Sequence, residues 1–377
     1  MLQSEVFYRQ LTEHGVSFFT GVPDSLLKDF LSFLADSVPP ESNIIAANEG
    51  NAIALAVGYY LATGGIGMVY MQNSGLGNAV NPLTSLADPE VYSIPMLILV
   101  GWRGEPGVKD EPQHRKQGRI TTGLLETLEV PYQILPEEEA DAGRAIERAV
   151  RSMLDRSAPH VLLVRKGTFA AHQPQAGLGE TAQMSREEAI RVIVGMLPED
   201  AVVVSTTGKA SRELYELREK AKQGHGRDFL TVGSMGHSSQ IALGIALTLP
   251  ERPVFCLDGD GAVIMHAGGL AIIGSLGPAN FKHIVLNNCA HDSVGGQPTC
   301  GFDIDIPGIA AASGYSKTFR VSTPDEMKEK TGRLIDCRGP ALLEVRIRKG
   351  ARTDLGRPLT TPIQNKQAFM QILGRRK

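Results

Sequence analysis

The chain has 377 residues, 42% of them hydrophobic and 21% charged, a globular composition long enough for two domains of ordinary size. Lysine and arginine total 38 against 41 acids, a net charge of −3, so nothing favours a nucleic acid or an acidic membrane face, and a small molecule is the expected partner. Four cysteines without a C-x-x-C pair argue against a disulfide framework and for the cytoplasm, and with no leader pattern and no apolar run of membrane-spanning length, a soluble, unprocessed protein is expected.

From the N-terminus onward, apolar runs that end in glycine, asparagine or aspartate alternate with helix-like segments, the pattern of an α/β protein whose parallel sheet is covered on both faces. The first strand candidates are 18–22, 43–47, 67–71, 96–100 and 160–164, with a helix over 51–62. Residues 172–184, rich in glutamine, glycine, proline and alanine, have the composition of a linker. Ser185 and Glu188 then form a capping box ahead of Ile190, Ile193, Val194 and Leu197, which predicts a helix at the start of a second set. Its strand candidates are 201–205, 229–232, 253–257, 282–286 and 341–347. The expectation is two doubly wound parallel-sheet domains, 1–171 and 185–377, joined by the linker 172–184; no residue repeat relates them. Glycines cluster at the strand ends, where ligands of such sheets sit.

The run Pro253–Gly261 carries an apolar strand directly into an acid flanked by glycines, which lets backbone approach a ligand and leaves Asp260 at the strand end. A helix is predicted over 262–273, and the next strand delivers Asn287-Asn288 at its own carboxyl end. Hard oxygen donors of this kind suit Mg²⁺ bridging a diphosphate, with Asp260, Asn288 and the Ala290 carbonyl as ligands. Gly259-Asp260-Gly261 alone reads first as a plain strand-end turn; the asparagine 28 positions after Asp260 is what favours a metal.

G-D-G followed one helix and strand later by N-N resembles the motif of the thiamine-diphosphate-dependent decarboxylase superfamily, and three further segments agree with it. Gly233-Ser-Met-Gly236 is similar to the turn at which the Gly233 carbonyl and Met235 amide would bind the aminopyrimidine, with the Met235 side chain wedged beneath the cofactor; alone it would read as a core methionine at a tight turn. Thr206-Thr207-Gly208-Lys209 resembles the first diphosphate-side loop, where helix-start N–H groups complement phosphate charge, although Lys209 stands where a hydroxyl residue is the rule. Ala46-Ala47-Asn48-Glu49-Gly50 places Glu49 where the family's activating glutamate bonds the pyrimidine nitrogen and promotes loss of the thiazolium C2 proton; the plain alternative is an acid that complements a helix dipole. The resemblance implies thiamine diphosphate and Mg²⁺ as cofactors, a pyrimidine-binding domain followed by a diphosphate-binding domain with no middle domain, and a homo-oligomer, at least a dimer, with its site shared between subunits.

First-domain segments left over by cofactor binding are expected to meet substrate. They are the turn Thr20–Ser25 with Asp24 and Ser25, the cluster Met71–Asn78 with Asn78, and the long loop 101–118, which holds the only tryptophan and five basic residues, counting His114. A solvated loop of mixed charge is the plain alternative for the last. Arg103, Lys109, Arg115 or Lys116 could pair a phosphonate or sulfonate, His114 could handle protons near the carbonyl, and His291 in 291–296 could close the pocket or meet the anion. Cys289 has no basic partner at fixed spacing and reads as filler. Together these segments resemble the superfamily members that convert 3-phosphonopyruvate to phosphonoacetaldehyde and CO₂ in phosphonate biosynthesis. A sulfopyruvate decarboxylase and a carboligase are the alternatives within that chemistry. A non-catalytic nucleotide-binding protein lacks its G-x-G-x-x-G turn, since position 80 after Gly75-Leu76-Gly77 is valine.

Overall fold

Runs such as 68–71 and 284–286 are apolar at every position, so as strands they need cover on both faces, and helices supply it. The computed structural model describes residues 1–173 and 182–374, and the chain divides into two compact units, Met1–Gly177 and Leu178–Lys377.

The first unit contains β1 (Val16–Gly21), β2 (Asn43–Ile45), β3 (Ile66–Gln72), β4 (Leu97–Gly101), β5 (Tyr132–Ile134) and β6 (His160–Val164). All pair in parallel, in the order β2-β1-β3-β4-β6-β5. The second contains β7 (Val202–Ser205), β8 (Asp228–Leu230), β9 (Val254–Gly259), β10 (Phe281–Asn287), β11 (Lys317–Val321) and β12 (Ala341–Arg346), again all parallel. Read from the β8 edge, its order β8-β7-β9-β10-β12-β11 repeats that of the first sheet strand for strand. One scaffold therefore occurs twice without any residue repeat.

Each sheet separates two apolar cores by the period-two alternation of its strands. In β3, Met68 and Tyr70 pack with Phe7, Phe19 and Phe30, while Val69 and Met71 pack with Ile53, Ala56 and Leu125. In β10, Ile284 and Leu286 meet Ile190, Ile193 and Leu214, and Val285 meets Ala242, Leu270 and Ile273. Full burial of each such side chain stabilises the fold by about 1.5–3 kcal/mol. The capping box forms as its spacing predicts: Ser185 Oγ accepts from the Glu188 amide at 3.2 Å, and the Glu188 carboxylate accepts from the Ser185 amide at 2.8 Å.

Three sequence expectations change. Strands β5 and β11 were not anticipated. The helix predicted over 262–273 is two, Asp260–Met265 and Gly268–Leu276, and residues 101–118 are not one loop, because a helix starts at Pro112 and runs to Thr127. Residues 174–181 of the expected linker lie outside the described residues. Among the described residues no helix is long and apolar enough to cross a membrane.

Candidate functional site

In the second unit, β9 ends at Gly259 and Asp260 opens the next helix, so the Asp260 carboxylate stands at the carboxyl rim of the sheet, yet only 2% of it is exposed. One carboxylate oxygen accepts from the Thr299 hydroxyl and the other faces the Asn288 amide at 3.4 Å. Burial pushes this carboxyl up to about 6, since these hydrogen bonds only partly offset desolvation and, among the described residues, no cation offsets it further. An acid in that state is short of a counter-ion.

β10 delivers two asparagines with different tasks. Asn287 is fully buried and donates to the Gly301 carbonyl at 2.6 Å and to Glu344 at 2.7 Å, fastening the loop that follows, whereas Asn288 lies beside Asp260 and its Oδ1 accepts from the Ala290 amide at 3.1 Å. Ala290 and Pro298 form a bridge flanked by His291 N–H to Gln297 O at 2.8 Å and Thr299 N–H to Cys289 O at 3.1 Å. In such a pair the central residue turns its own amide and carbonyl away from the opposite strand, which frees the Ala290 carbonyl. A Cβ at Gly301 would stand 2.6 Å from Asn287 Oδ1 and 2.8 Å from Asp260 Oδ2, so only glycine fits there. Cys289 adopts φ +53° with its thiol donating to the Thr299 carbonyl at 3.0 Å, a turn position rather than a nucleophile's. The oxygens of Asp260, Asn288 and Ala290, one of them anionic and buried, fit a hard divalent cation.

The neighbouring turns are fixed with comparable tightness. Thr206-Thr207-Gly208 leads into the helix Lys209–Lys220, whose first N–H groups face the strand end, and Gly208 (φ +97°) has no room for a Cβ, which would meet Ser293 Oγ at 2.6 Å. Lys209 Nζ lies 3.3 Å from Asp292, which also accepts from Arg186 at 3.1 Å and from the Gly350 amide at 3.2 Å. Lys209 thus ties its loop to 291–296. Gly233–Gly236 precedes the helix Ser238–Thr248, with Ser234 at φ +56°, Gly236 at φ +84° and Met235 partly exposed. Asp258, fully buried, joins this turn to the metal-side turn: Oδ1 accepts from the Gly259 amide at 3.0 Å and from Ser238 Oγ at 3.3 Å, and Oδ2 lies 3.3 Å from His283 Nε2. The His291 ring lies against Gly261, whose added Cβ would be 3.2 Å from it, and burial lowers this imidazole to about 4, so it is neutral at pH 7.

In the first unit, Glu49 begins the helix Glu49–Thr63, capped by Asn48 Oδ1 accepting from the Asn51 amide at 2.9 Å. Its carboxylate is buried and accepts from Asn78 Nδ2 at 2.7 Å, and a Cβ at Gly75 would come within 2.3 Å of Glu49 Oε1. Thus Asn78, expected to meet substrate, holds Glu49. Asp24 is enclosed: it accepts from Gln72 Nε2 at 2.6 Å and the Leu26 amide at 2.9 Å, occupies the space a Gly101 Cβ would need, and burial raises its pKa. It fixes the turn.

Ser25, by contrast, accepts from Arg103 Nη1 at 2.8 Å, and Arg103 Nε and Nη2 grip Asp110 at 2.8 and 2.5 Å. The Asn73 side chain holds the Arg103 backbone at both ends, Nδ2 to its carbonyl at 2.8 Å and Oδ1 from its amide at 3.2 Å. Ser25, Arg103, Lys109 and Lys166 line one cavity of about 400 Å³, together with Asp29, Glu105 and Asp110. Among the described residues neither of these lysines has an acid in ion-pair contact. His114 is half-buried near Arg103; burial, then the guanidinium charge, lower it to about 4, so it too is a neutral imidazole at pH 7. Arg115 and Lys116 are exposed on the helix Pro112–Thr127. Gln72 and Asn73 lie in the cluster Met71–Asn78 and Asp258 in the run Pro253–Gly261, but the individual roles of these three, and of Thr299 and Gly301, were not read from the sequence, because they act through partners up to 48 positions away, which spacing does not announce. The one available signal was the Asp258/Asp260 pair two residues apart on an apolar strand.

A family model described as "Thiamine pyrophosphate enzyme, N-terminal TPP binding domain" matches residues 1–123, and its C-terminal TPP binding domain counterpart matches residues 206–345. The chain is 38% identical to the phosphonopyruvate decarboxylase of Streptomyces viridochromogenes over 95% of this chain and 92% of that protein. It is 34% identical to that of Streptomyces hygroscopicus, covering 99% and 94%, and 27% identical to the sulfopyruvate decarboxylase of Methanosarcina acetivorans, covering 97% and 96%.

Proposed function

We propose, for a chain that belongs to the thiamine pyrophosphate enzymes and within them to the family of phosphonopyruvate and sulfopyruvate decarboxylases, that it converts 3-phosphonopyruvate to phosphonoacetaldehyde and CO₂. The substrate assignment is carried by the near full-length likeness to two phosphonopyruvate decarboxylases, and Lys109 and Lys166, which line the first-unit cavity without an acid in ion-pair contact among the described residues, are the cations left to meet an anionic group. We take the product to enter phosphonate biosynthesis.

In this reading the first unit is the pyrimidine-binding domain and the second the diphosphate-binding domain, joined within 172–184. Thiamine diphosphate, when bound, supplies a nucleophilic carbon and accepts the electrons left as CO₂ departs. Asp260, Asn288 and the Ala290 carbonyl hold Mg²⁺, and Gly259 and Gly261 keep side chains out of its way. The Thr207 and Gly208 backbone at the helix start receives the diphosphate. Gly233 and Met235 hold the aminopyrimidine, and Glu49, steadied by Asn78, holds a proton at the pyrimidine nitrogen. Arg103 and Lys109 orient the phosphonate beside Ser25, with Asp24 fixing that turn. His114, neutral, exchanges a proton near the carbonyl carbon, and His291 packs beside the metal turn.

The protein acts as a homo-oligomer, at least a dimer. Supporting this, the helix Glu49–Thr63, apolar nearly all round, leaves Leu55 and Leu61 at 37% and 71% exposure, and the helix Gly268–Leu276 leaves Ile272 and Leu276 at 53% and 54%. Four free thiols support a reducing compartment, the cytoplasm. The test offers both acids to purified protein loaded with thiamine diphosphate and Mg²⁺ and follows aldehyde and CO₂. Faster turnover of phosphonopyruvate is expected; preference for sulfopyruvate would overturn the substrate, and acyloin formed from added aldehyde would favour a carboligase.

A further inference from the structure

The Gln297 side chain is 5% exposed, and both its Nε2 and its Oε1 are buried without a hydrogen-bond partner among the described residues. A buried amide with neither its donor nor its acceptor used is strongly disfavoured, so native folds keep one chiefly where a ligand or water completes it. Its setting is specific. Gln297 closes the loop that starts at the Ala290–Pro298 bridge: its carbonyl accepts from the His291 amide at 2.8 Å, and the His291 carbonyl accepts from Val294 and Gly296 amides at 3.1 and 3.0 Å. Gly295 (φ +136°) makes room for the amide, since a Cβ there would stand 2.6 Å from Nε2.

The loop is tied at its other residues, Asp292 by Arg186, Lys209 and the Gly350 amide, and the Gly296 carbonyl by Lys349 Nζ at 3.2 Å. Two residues beyond Gln297, Thr299 donates to Asp260. The unsatisfied amide therefore sits on a fixed loop that is contiguous at both ends with the residues assigned to the metal and diphosphate.

We propose that Gln297 is a ligand-contacting residue, its Nε2 donating to an anionic phosphoryl-type oxygen and its Oε1 accepting from a water of that group's hydration shell. That oxygen belongs either to the cofactor's diphosphate or to the substrate's phosphonate, which present the same chemistry. The assignment rests on the thiamine diphosphate reading above.

Gln297→Leu and Gln297→Glu test it with three measurements: the melting temperature of the cofactor-free protein, calorimetric binding of thiamine diphosphate with Mg²⁺, and the KM for phosphonopyruvate of the saturated enzyme. The leucine variant is expected to melt at or above the wild-type temperature, because it removes an unsatisfied amide, and yet to bind ligand about tenfold more weakly. The glutamate variant, with charge facing charge, should bind more weakly still. A raised dissociation constant with unchanged KM assigns the diphosphate; unchanged cofactor binding with a raised KM assigns the phosphonate. Either supports the proposal. If both cofactor binding and KM of the leucine variant stay within about twofold of wild type, whatever its melting temperature, the amide makes no ligand contact and the proposal is overturned. Failure of the wild type itself to bind thiamine diphosphate with Mg²⁺ would remove the underlying reading, and the proposal with it.

Discussion

Glu49 is held from two sides, by Asn78 Nδ2 at 2.7 Å and by a Gly75 whose missing Cβ leaves the carboxylate its space. If this acid carries the proton that activates the cofactor, Glu49→Ala should lower thiazolium C2 proton exchange by about 10²–10⁴-fold while cofactor binding, followed by calorimetry, is largely kept. Gly75→Ala should reproduce part of that loss, about tenfold or more, with Glu49 itself intact, because small misplacements of a catalytic group are costly. Exchange at the wild-type rate in Glu49→Ala would remove its assigned role. At Asp260 the sign of the pH dependence follows from burial. Desolvation raises the folded carboxyl to about 6, so above pH 7 it is ionised and ready for a cation, and as pH falls through 6 a proton competes for it. Mg²⁺-dependent cofactor affinity should therefore be flat above about pH 7 and fall, approaching about tenfold per unit, below about pH 6. Titrations at pH 7.5, 6 and 5 that show equal affinity would contradict this.

At the scale of elements, the strands whose limits were read most closely in advance are the buried ones. Strands β3, β4, β9, β10 and β12 are buried at nearly every position, and their limits fall within two residues of those predicted. β5 and β11, two of the four edge strands, carry a weak signal: Tyr132–Ile134 is half-buried throughout, and Lys317–Val321 exposes its lysine and arginine, whereas the other two, β2 and β8, were anticipated at 43–47 and 229–232. The identity of β5 and β11 as strands comes from pairing with β6 and β12, which no local pattern encodes. The helix at Pro112 carried a signal that went unread, proline at the first helical position. The metal-side residues show the same division. Asp260 and Asn288 stand out because glycine and asparagine punctuate strand ends, while Thr299 and Gly301 join them only through the loop's return. That return gives a prediction for the element as a whole. Gly301→Ala would force its methyl against Asn287 and Asp260, so Mg²⁺-dependent cofactor affinity should drop about tenfold or more, with the core of the unit and its circular dichroism spectrum unchanged. Binding equal to wild type would show that the loop is not held by this contact.

Across the whole molecule, the shared strand order puts corresponding tasks at corresponding places. The loop after β4 carries Arg103 and Asp110 and the loop after β10 carries Asn288 and Ala290, each following the fourth strand of its sheet. Likewise the turn after the third strand holds Asn73 and Gly75 in the first unit and Asp260 in the second. Under the proposed function, the duplicated scaffold would offer one rim for the pyrimidine and substrate and one for the diphosphate, and the proposed dimer would bring rims of different subunits together. Mixing makes this testable without further structure. Glu49→Ala damages the first-unit half of a site and Asp260→Ala the second-unit half, so each variant alone should be inactive. In dimers re-formed at random from equal amounts of the two, half of the dimers are mixed, and in each mixed dimer one site collects both defects while the other collects neither. About a quarter of wild-type activity should return if the halves come from different subunits. If each site is instead completed within one chain, every site in the mixture keeps one defect, and no activity returns however the subunits recombine.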